Sequence, residues 1–466
     1  MSESKRARLE VQHPLGILPE GNSYLDPQGN RKRHVGLGMF SKLEDETFLE
    51  VLGFLSGKDA IKLETVSPAF LAFAREEGVW KERCLDMQFS KFEHSWRSTF
   101  IAGEFQVHAD ESHVKLQGIY SDHLFYAVQC RRYYADLKAK YNEEYKGNVL
   151  VVDRSTLDRS IFVEKYEKTG KPILINGLVN QWPAFLNWTS RDYLISKCAD
   201  NKVACGTALW TLAEYYQYAD QCVWDEVPFF VFENKFFAES ALVEDFTHDE
   251  IFGPNMFDVL SHPFKPDNRW LLIGNQMSFS QWHIDPNSTT AWNGVIQGRK
   301  LWLLLPPSCV PAGVFPSSDG SAVRQPHSLL EWFGNGLYEE TKEMYGKKLH
   351  ECICGPGQLM VIPRGWWHCV VNLADDTVAV TQNFCPEIHV HSVRRFLKES
   401  KHCVSGIEHD LRDDLWREFD SALMKQRPDV LPPKQEAEAT KASNTCEGFS
   451  FWNHLRTSSE TLSFSK

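Results

Sequence analysis

His283 and Asp285 stand two residues apart in Gln281-Trp282-His283-Ile284-Asp285-Pro286, and His368 closes the run Arg364-Gly365-Trp366-Trp367-His368. Two imidazoles and one carboxylate are the ligand set of a mononuclear non-haem iron(II) centre. That set leaves coordination positions open for a co-substrate and dioxygen. On a strand, side chains at i and i+2 project from one face, so His283 and Asp285 are expected to point together. His368 must then come from a second strand or its turn, and a two-sheet barrel can bring the two segments together. His389-Val390-His391 offers a rival i, i+2 pair. No carboxylate lies between those histidines and a helix follows, so that pair reads as structural.

The elements that must hold these groups are short apolar runs bounded by Gly or Pro: Trp270-Leu271-Leu272-Ile273-Gly274, Lys300-Leu301-Trp302-Leu303-Leu304-Leu305, Gln358-Leu359-Met360-Val361-Ile362 and Thr377-Val378-Ala379-Val380-Thr381. Such runs suit a double-sheet jelly roll. Further strands are expected at residues 148–153 and 171–175, with a helix at 162–167 between them. Alternation along the second run sends Lys300, Trp302 and Leu304 to one face and Leu301, Leu303 and Leu305 to the other. A lysine on an apolar strand needs a buried anion or a route to water.

His-Ile-Asp-Pro, then Ala291-Trp292-Asn293-Gly294-Val295-Ile296-Gln297-Gly298-Arg299-Lys300-Leu301-Trp302, Gly365-Trp366-Trp367-His368 and Thr381-Gln382-Asn383-Phe384 together resemble the JmjC family of 2-oxoglutarate oxygenases. Within it they are most similar to the small arginine-demethylase and lysyl-hydroxylase branch. The resemblance runs over about residues 151–384. It implies a mainly β fold with helical flanks, built on a double-stranded β-helix of the cupin type. It implies iron(II) on His283, Asp285 and His368, with 2-oxoglutarate and O2 as co-substrates. Lys300 would anchor the distal carboxylate of 2-oxoglutarate, with Thr381 sharing it. Asn293 and Ser280 would complete the co-substrate site, Ser280 standing where close relatives have threonine. Asn372 would line the pocket; Trp292 and Trp367 are candidates to line it as well, with buried aromatic core the stronger reading of each. One residue more than the family pattern lies between His368 and Thr381, and a turn at Ala374-Asp375-Asp376 is expected to absorb it.

Outside the barrel the pattern turns helical. Phe48, Leu49, Val51, Leu52 and Leu55 form an apolar stripe after Glu44, Asp45 and Glu46, acids that suit a helix N-terminus. Ser56-Gly57 ends it, Asp59 is expected to cap a second short helix, and Ser67-Pro68 starts a third. These three helices, with Val66-Ser67-Pro68-Ala69-Phe70 and Val79-Trp80-Lys81, resemble an F-box, although Leu43-Glu44 replaces the usual opening Leu-Pro. The resemblance implies docking to a Skp-type adaptor and a cullin ligase. The expected organisation is a basic disordered tail (1–38), an F-box-like region (39–85), a helical bridge (86–150), the JmjC barrel (151–390), C-terminal helices (391–425) and a flexible tail (426–466). The C-terminal helices could cover a barrel end or support a homodimer.

Composition sets bounds. With 466 residues, 42% hydrophobic and 15 Trp, the chain can bury a substantial core. No apolar run reaches the roughly 20 residues that span a bilayer, and no secretory h-region opens the chain, so no membrane partner and a nuclear or cytoplasmic location are expected. Twelve scattered Cys suggest neither a zinc ribbon nor a disulfide framework. A net charge of −12 disfavours direct nucleic-acid binding and suits a basic protein substrate. Lys5, Arg6 and Arg8, then Arg31, Lys32 and Arg33, are basic clusters of the kind that serve as nuclear import signals.

These readings converge on an iron(II)- and 2-oxoglutarate-dependent oxygenase that hydroxylates or N-demethylates a lysine or methyl-arginine side chain, histones included. No Cys/His array of a chromatin-reading zinc module is visible. The alternative from another class is an F-box substrate receptor whose barrel binds without oxidising. A metal-free or sugar-binding cupin is the third.

Overall fold

The structure, a computed structural model, describes residues 12–20, 32–87, 91–109 and 114–431. The chain divides into two compact units. The first holds the described residues up to Asn142 together with Ala213–Pro228, and the second holds Glu143–Leu212 and the described residues from Phe229 on.

The first unit is helical. Asp45–Gly53, Gly57–Leu63, Pro68–Ala74 and Glu77–Asp86 follow one another at the F-box-like positions, so four helices stand where three are expected. Ser67 caps the third as its serine-proline pair suggests, but Ser56, not Asp59, caps the second, its hydroxyl accepting the Asp59 N–H. A serine one turn ahead of the first apolar position can reach that amide; Asp59 already lies inside the helix. Three parts of the expected organisation change. Residues 12–20 and 32–38 are not a free tail, because Ile17 and Leu37 are buried beside Phe48, Phe73 and Leu124, and Lys32–Gly36 is a helix. Arg33, counted in the second basic cluster, is buried in an ion pair with Asp45. Lys5, Arg6, Arg8 and Arg31 lie outside the described residues. The helices Trp96–Phe105 and Tyr126–Lys140 belong to this unit and are no separate bridge. The stretch Ala213–Pro228 also belongs here, not to an unbroken barrel. Its buried Asp225 finds partners in Lys81 (2.9 Å), Trp96 Nε1 (3.1 Å) and the Tyr218 hydroxyl (2.7 Å). A buried carboxylate needs such partners, and short-range sequence pattern does not reveal them.

The second unit is a double-sheet barrel. Its larger sheet runs Leu150–Asp153, Ile173–Asn176, Gln358–Ile362, Thr290–Gln297, Thr377–Phe384, Arg269–Gly274, Val231–Glu233, Lys202–Cys205 and Ala208–Thr211 in spatial order. The smaller runs His350–Cys354, Lys300–Leu305, Trp367–Asn372 and Phe279–His283. Alternation decides what each strand buries. Ala291, Val295, Trp302, Leu304, Met360, Ile362, Val370 and Ala379 form one apolar cluster, with Cys352 and Cys354. Asn293, Lys300, His368, Asn372 and Thr381 share parity with those residues and so face the same interior. The helix expected at 162–167 opens as Arg159–Phe162 and continues as a π-turn, Val163–Glu167.

The C-terminal helices Val390–Glu399 and Leu415–Gln426 bury Val393, Phe396, Leu397, Phe419 and Leu423 against Met256, Phe257 and Leu260 of the same unit. Their apolar faces are thereby used within the chain. Val430 and Leu431 pack on this cluster too, so the expected flexible tail starts later than residue 426; residues 432–466 lie outside the described ones. No helix among the described residues is long and apolar enough to cross a membrane.

Candidate metal and co-substrate site

The strands Phe279–His283 and Trp367–Asn372 are antiparallel neighbours, and His283 lies directly opposite His368 in their register. Their rings approach to 4.1 Å between centroids. Asp285 lies just beyond its strand but keeps an extended backbone, φ −59° and ψ 145°, so it stays on the side of His283. One ligand atom from each of His283, Asp285 and His368 lies within 4.8 Å of the others, all three residues buried. His368 Nε2 is 4.0 Å from Asp285 Oδ2.

Hydrogen bonds choose the tautomers. His283 Nδ1 is 2.6 Å from the Gln281 carbonyl, and His368 Nδ1 is 3.1 Å from that of Trp366. A carbonyl only accepts, so each Nδ1 carries the proton and each Nε2 presents its lone pair. Burial pushes the imidazoles down, His283 to about 3 with a contribution from neighbouring His368, and His368 to about 4. Both are neutral at physiological pH, the state a metal requires. Burial raises the Asp285 carboxyl above its ordinary range, and its Oδ2 is buried without a hydrogen-bond partner. An orphaned carboxylate oxygen beside two imidazole lone pairs fits a divalent cation and fits little else.

The same cavity holds Lys300, about 6% exposed. Its Nζ donates to Asn372 Oδ1 at 3.1 Å. Asn372 in turn donates to Ser278 Oγ at 2.8 Å, and Ser278 donates to the Asn275 carbonyl. Gly274 makes room for this relay: a Cβ there would stand 2.5 Å from Asn372 Nδ2 and 2.6 Å from Ser278 Oγ. Burial lowers the lysine to about 8. Asp285 is the one carboxylate and Lys300 the one lysine or arginine among the described residues lining the cavity, whose volume is about 670 Å³ with its mouth included.

A cupin-like domain model matches residues 210–389. Arginine-specific demethylase JMJ22 of Arabidopsis thaliana is 38% identical to this chain, over 98% of it and 91% of the relative. The chain belongs to the JmjC family. Other JmjC relatives are the bifunctional arginine demethylase and lysyl-hydroxylase psr-1 of Caenorhabditis elegans, 29% identical over 62% of this chain and 71% of its own, and the 2-oxoglutarate and iron-dependent oxygenase JMJD4 of Mus musculus, 26% identical over 34% and 36%.

Within this JmjC barrel the cavity brings together His283, Asp285, His368, Lys300, Asn293, Ser280, Asn372 and Thr381. Two expected pocket residues do not line it. Trp292 and Trp367 each adjoin an inward residue, Asn293 and His368, so the pleat turns them outward. Trp292 instead donates its indole N–H to His248 Nδ1 at 3.0 Å. Thr381 does line the cavity, but its hydroxyl donates to the Trp292 carbonyl at 2.8 Å. A turn at 373–376 joins the strands Trp367–Asn372 and Thr377–Phe384, and Asp376 within it takes φ +49°. The sequence reading missed Ser278, Asn383, Phe230, Phe232 and Trp270. Asn383 donates its amide to Thr289 Oγ1 at 3.0 Å beside Asp285, and parity with Thr381 could have found it. The aromatic wall, with Phe232 stacked on Trp270 at 5.5 Å, had no such anchor in the sequence.

Proposed function

We propose that the protein hydroxylates or N-demethylates an arginine or lysine side chain of a basic protein, using iron(II), 2-oxoglutarate and O2. The observation that carries this reading is the pairing of opposite deficits in one cavity: three convergent acceptors and, apart from them, a buried cation. His283 and His368 would hold iron through Nε2, and Asp285 through its carboxylate. Lys300, steadied by Asn372, would take the far carboxylate of 2-oxoglutarate. When bound, the iron and keto-acid supply the oxidising chemistry; succinate and CO2 leave as a hydroxyl is delivered to a substrate C–H. The walls formed by Trp302, Val370, Ile362 and Ala291 exclude water, which strengthens every charge interaction inside. Asn293 Oδ1, buried without a partner, is an acceptor available to a bound ligand.

A hydroxyl placed on a ring or chain carbon stays as an alcohol. One placed on an N-methyl carbon collapses to formaldehyde and the demethylated amine. Methyl-arginine is the first substrate to test, because the JMJ22 relative, matched almost end to end, carries the name of an arginine demethylase. The experiment is succinate release with iron(II), 2-oxoglutarate and O2 on methylated and unmethylated basic peptides, with mass spectrometry of the product. Gain of one oxygen marks hydroxylation and loss of one methylene marks demethylation. Equal silence of wild type and His283→Ala on all peptides would defeat the proposal.

A second reading concerns the helical unit. The turns that follow the first two helices at the F-box-like positions present Phe54 and Val66 to solvent, 90% and 59% exposed, and these support docking to a Skp-type adaptor of a cullin ligase. Retention of the full-length chain on immobilised adaptor, lost in Phe54→Asp, is the expected result; no retention of the folded wild type removes this reading.

A further inference from the structure

The turn that carries Asp285 is held in an unusual backbone conformation by groups distant in sequence. Asn287 and Ser288, both buried, take φ +56° and +57°. Non-glycine residues rarely adopt this left-handed region, and two in succession persist only where the surroundings over-determine them. Two clasps do so here. The Asn287 amide closes a ring on the backbone of Ser405, Oδ1 accepting from its N–H at 3.1 Å and Nδ2 donating to its carbonyl at 2.9 Å. Ser288 Oγ accepts from Arg364 Nη1 at 3.1 Å, and Arg364 lies four residues before His368. Ser405 itself is fixed between Val404 and Ile407, both buried in the C-terminal helical cluster.

We infer that Asn287 is a positioning residue for the metal site. Through it the C-terminal helices fix where the Asp285 carboxylate stands, although none of the residues in their buried cluster lines the cavity. Ser288 and Arg364 set the spacing between the Asp285 turn and the turn that delivers His368. This inference rests on the reading of His283, Asp285 and His368 as metal ligands.

The test is titration of metal-free full-length protein with manganese(II), followed by calorimetry or spin resonance, with no turnover involved. Asn287→Gly keeps the left-handed turn without steric cost and deletes the clasp. The expected result is a manganese dissociation constant raised by about tenfold, the low end of the 10–100-fold range for losing a group bonded directly to a ligand, with an unchanged far-ultraviolet spectrum. Ser288→Ala should move it in the same direction by less. Manganese affinity equal to wild type in Asn287→Gly overturns the inference while leaving the metal site standing. So does an Asn287→Gly protein that fails to fold, which would make the clasp a matter of stability. Absence of binding to the wild type itself would overturn the metal reading and this inference together.

Discussion

At one end of the barrel cavity three acceptors converge; at the other a cation sits among neutral partners. His283 and His368 are aimed by backbone carbonyls and Asp285 by the extended backbone that follows its strand, and they present lone pairs. Lys300 is aimed by the Asn372–Ser278 relay and presents a charge. Neither end satisfies itself, and the two are not adjacent enough to satisfy each other: Asp285 and Lys300 form no ion pair. The difference teaches how a protein keeps opposite charges apart in a low-dielectric interior. It fixes each with neutral dipoles, so that a ligand of the opposite sign can discharge each one separately.

The contrast can be broken most severely at the acceptor end. Asp285→Ala or His368→Ala should abolish manganese or iron binding, an effect beyond the roughly 100-fold that loss of a supporting hydrogen bond brings; metal retained at wild-type affinity in either variant would remove the metal assignment. At the cation end, Lys300→Met should weaken 2-oxoglutarate binding to the manganese-loaded protein by about 2–5 kcal/mol, the range for truncating one partner of a buried charge pair, with metal affinity unchanged. Calorimetry of both ligands on both variants tests whether the two ends are as separable as their geometry implies.

The same lysine gives the contrast a pH signature. Its folded value of about 8 lies below the ordinary 10.5. Between those limits the unfolded chain binds the extra proton, so stability rises with pH across that window and the burial penalty stands in full below pH 8. Each tenfold loss of proton affinity on folding corresponds to about 1.4 kcal/mol. Ligand-free Lys300→Met should therefore be more stable than wild type at neutral pH by about 3 kcal/mol. That gap should close as pH climbs from 8 to 10.5. Denaturant melts of the two proteins at several pH values check it, and a gap independent of pH would show that Lys300 already has a buried counter-charge. The smallest effect is expected at Thr381. Because its hydroxyl serves the Trp292 carbonyl, Thr381→Val should change 2-oxoglutarate affinity by less than tenfold and cost about 1 kcal/mol of stability. A loss as large as that of Lys300→Met would show instead that the hydroxyl turns to the co-substrate.

Much of this was legible beforehand. Lys300–Leu305 and Gln358–Ile362 are strands at the expected bounds, because a continuous apolar run stopped by Gly or Pro leaves few other folds open. Residue types and the i, i+2 spacing chose His283 and Asp285, and alternation put Trp302 on the side of Lys300. The same alternation, applied from His368 and Asn293, would have turned Trp367 and Trp292 away from the cavity. Both indoles are buried outside the cavity, as the reading of them as aromatic core has it.

The sequence by itself determined which side chains could hold a cation, which strand carries the lysine, and that two sheets had to meet, since periodicity and chemical type are local properties. Only the tertiary structure decided that His283 faces His368 across one register, that residues 213–228 leave the barrel for the helical unit, and that Ser405 grips Asn287 from 118 positions away. Those facts depend on pairing between distant segments, where burial makes each polar group find a partner and no local pattern names which one it will be.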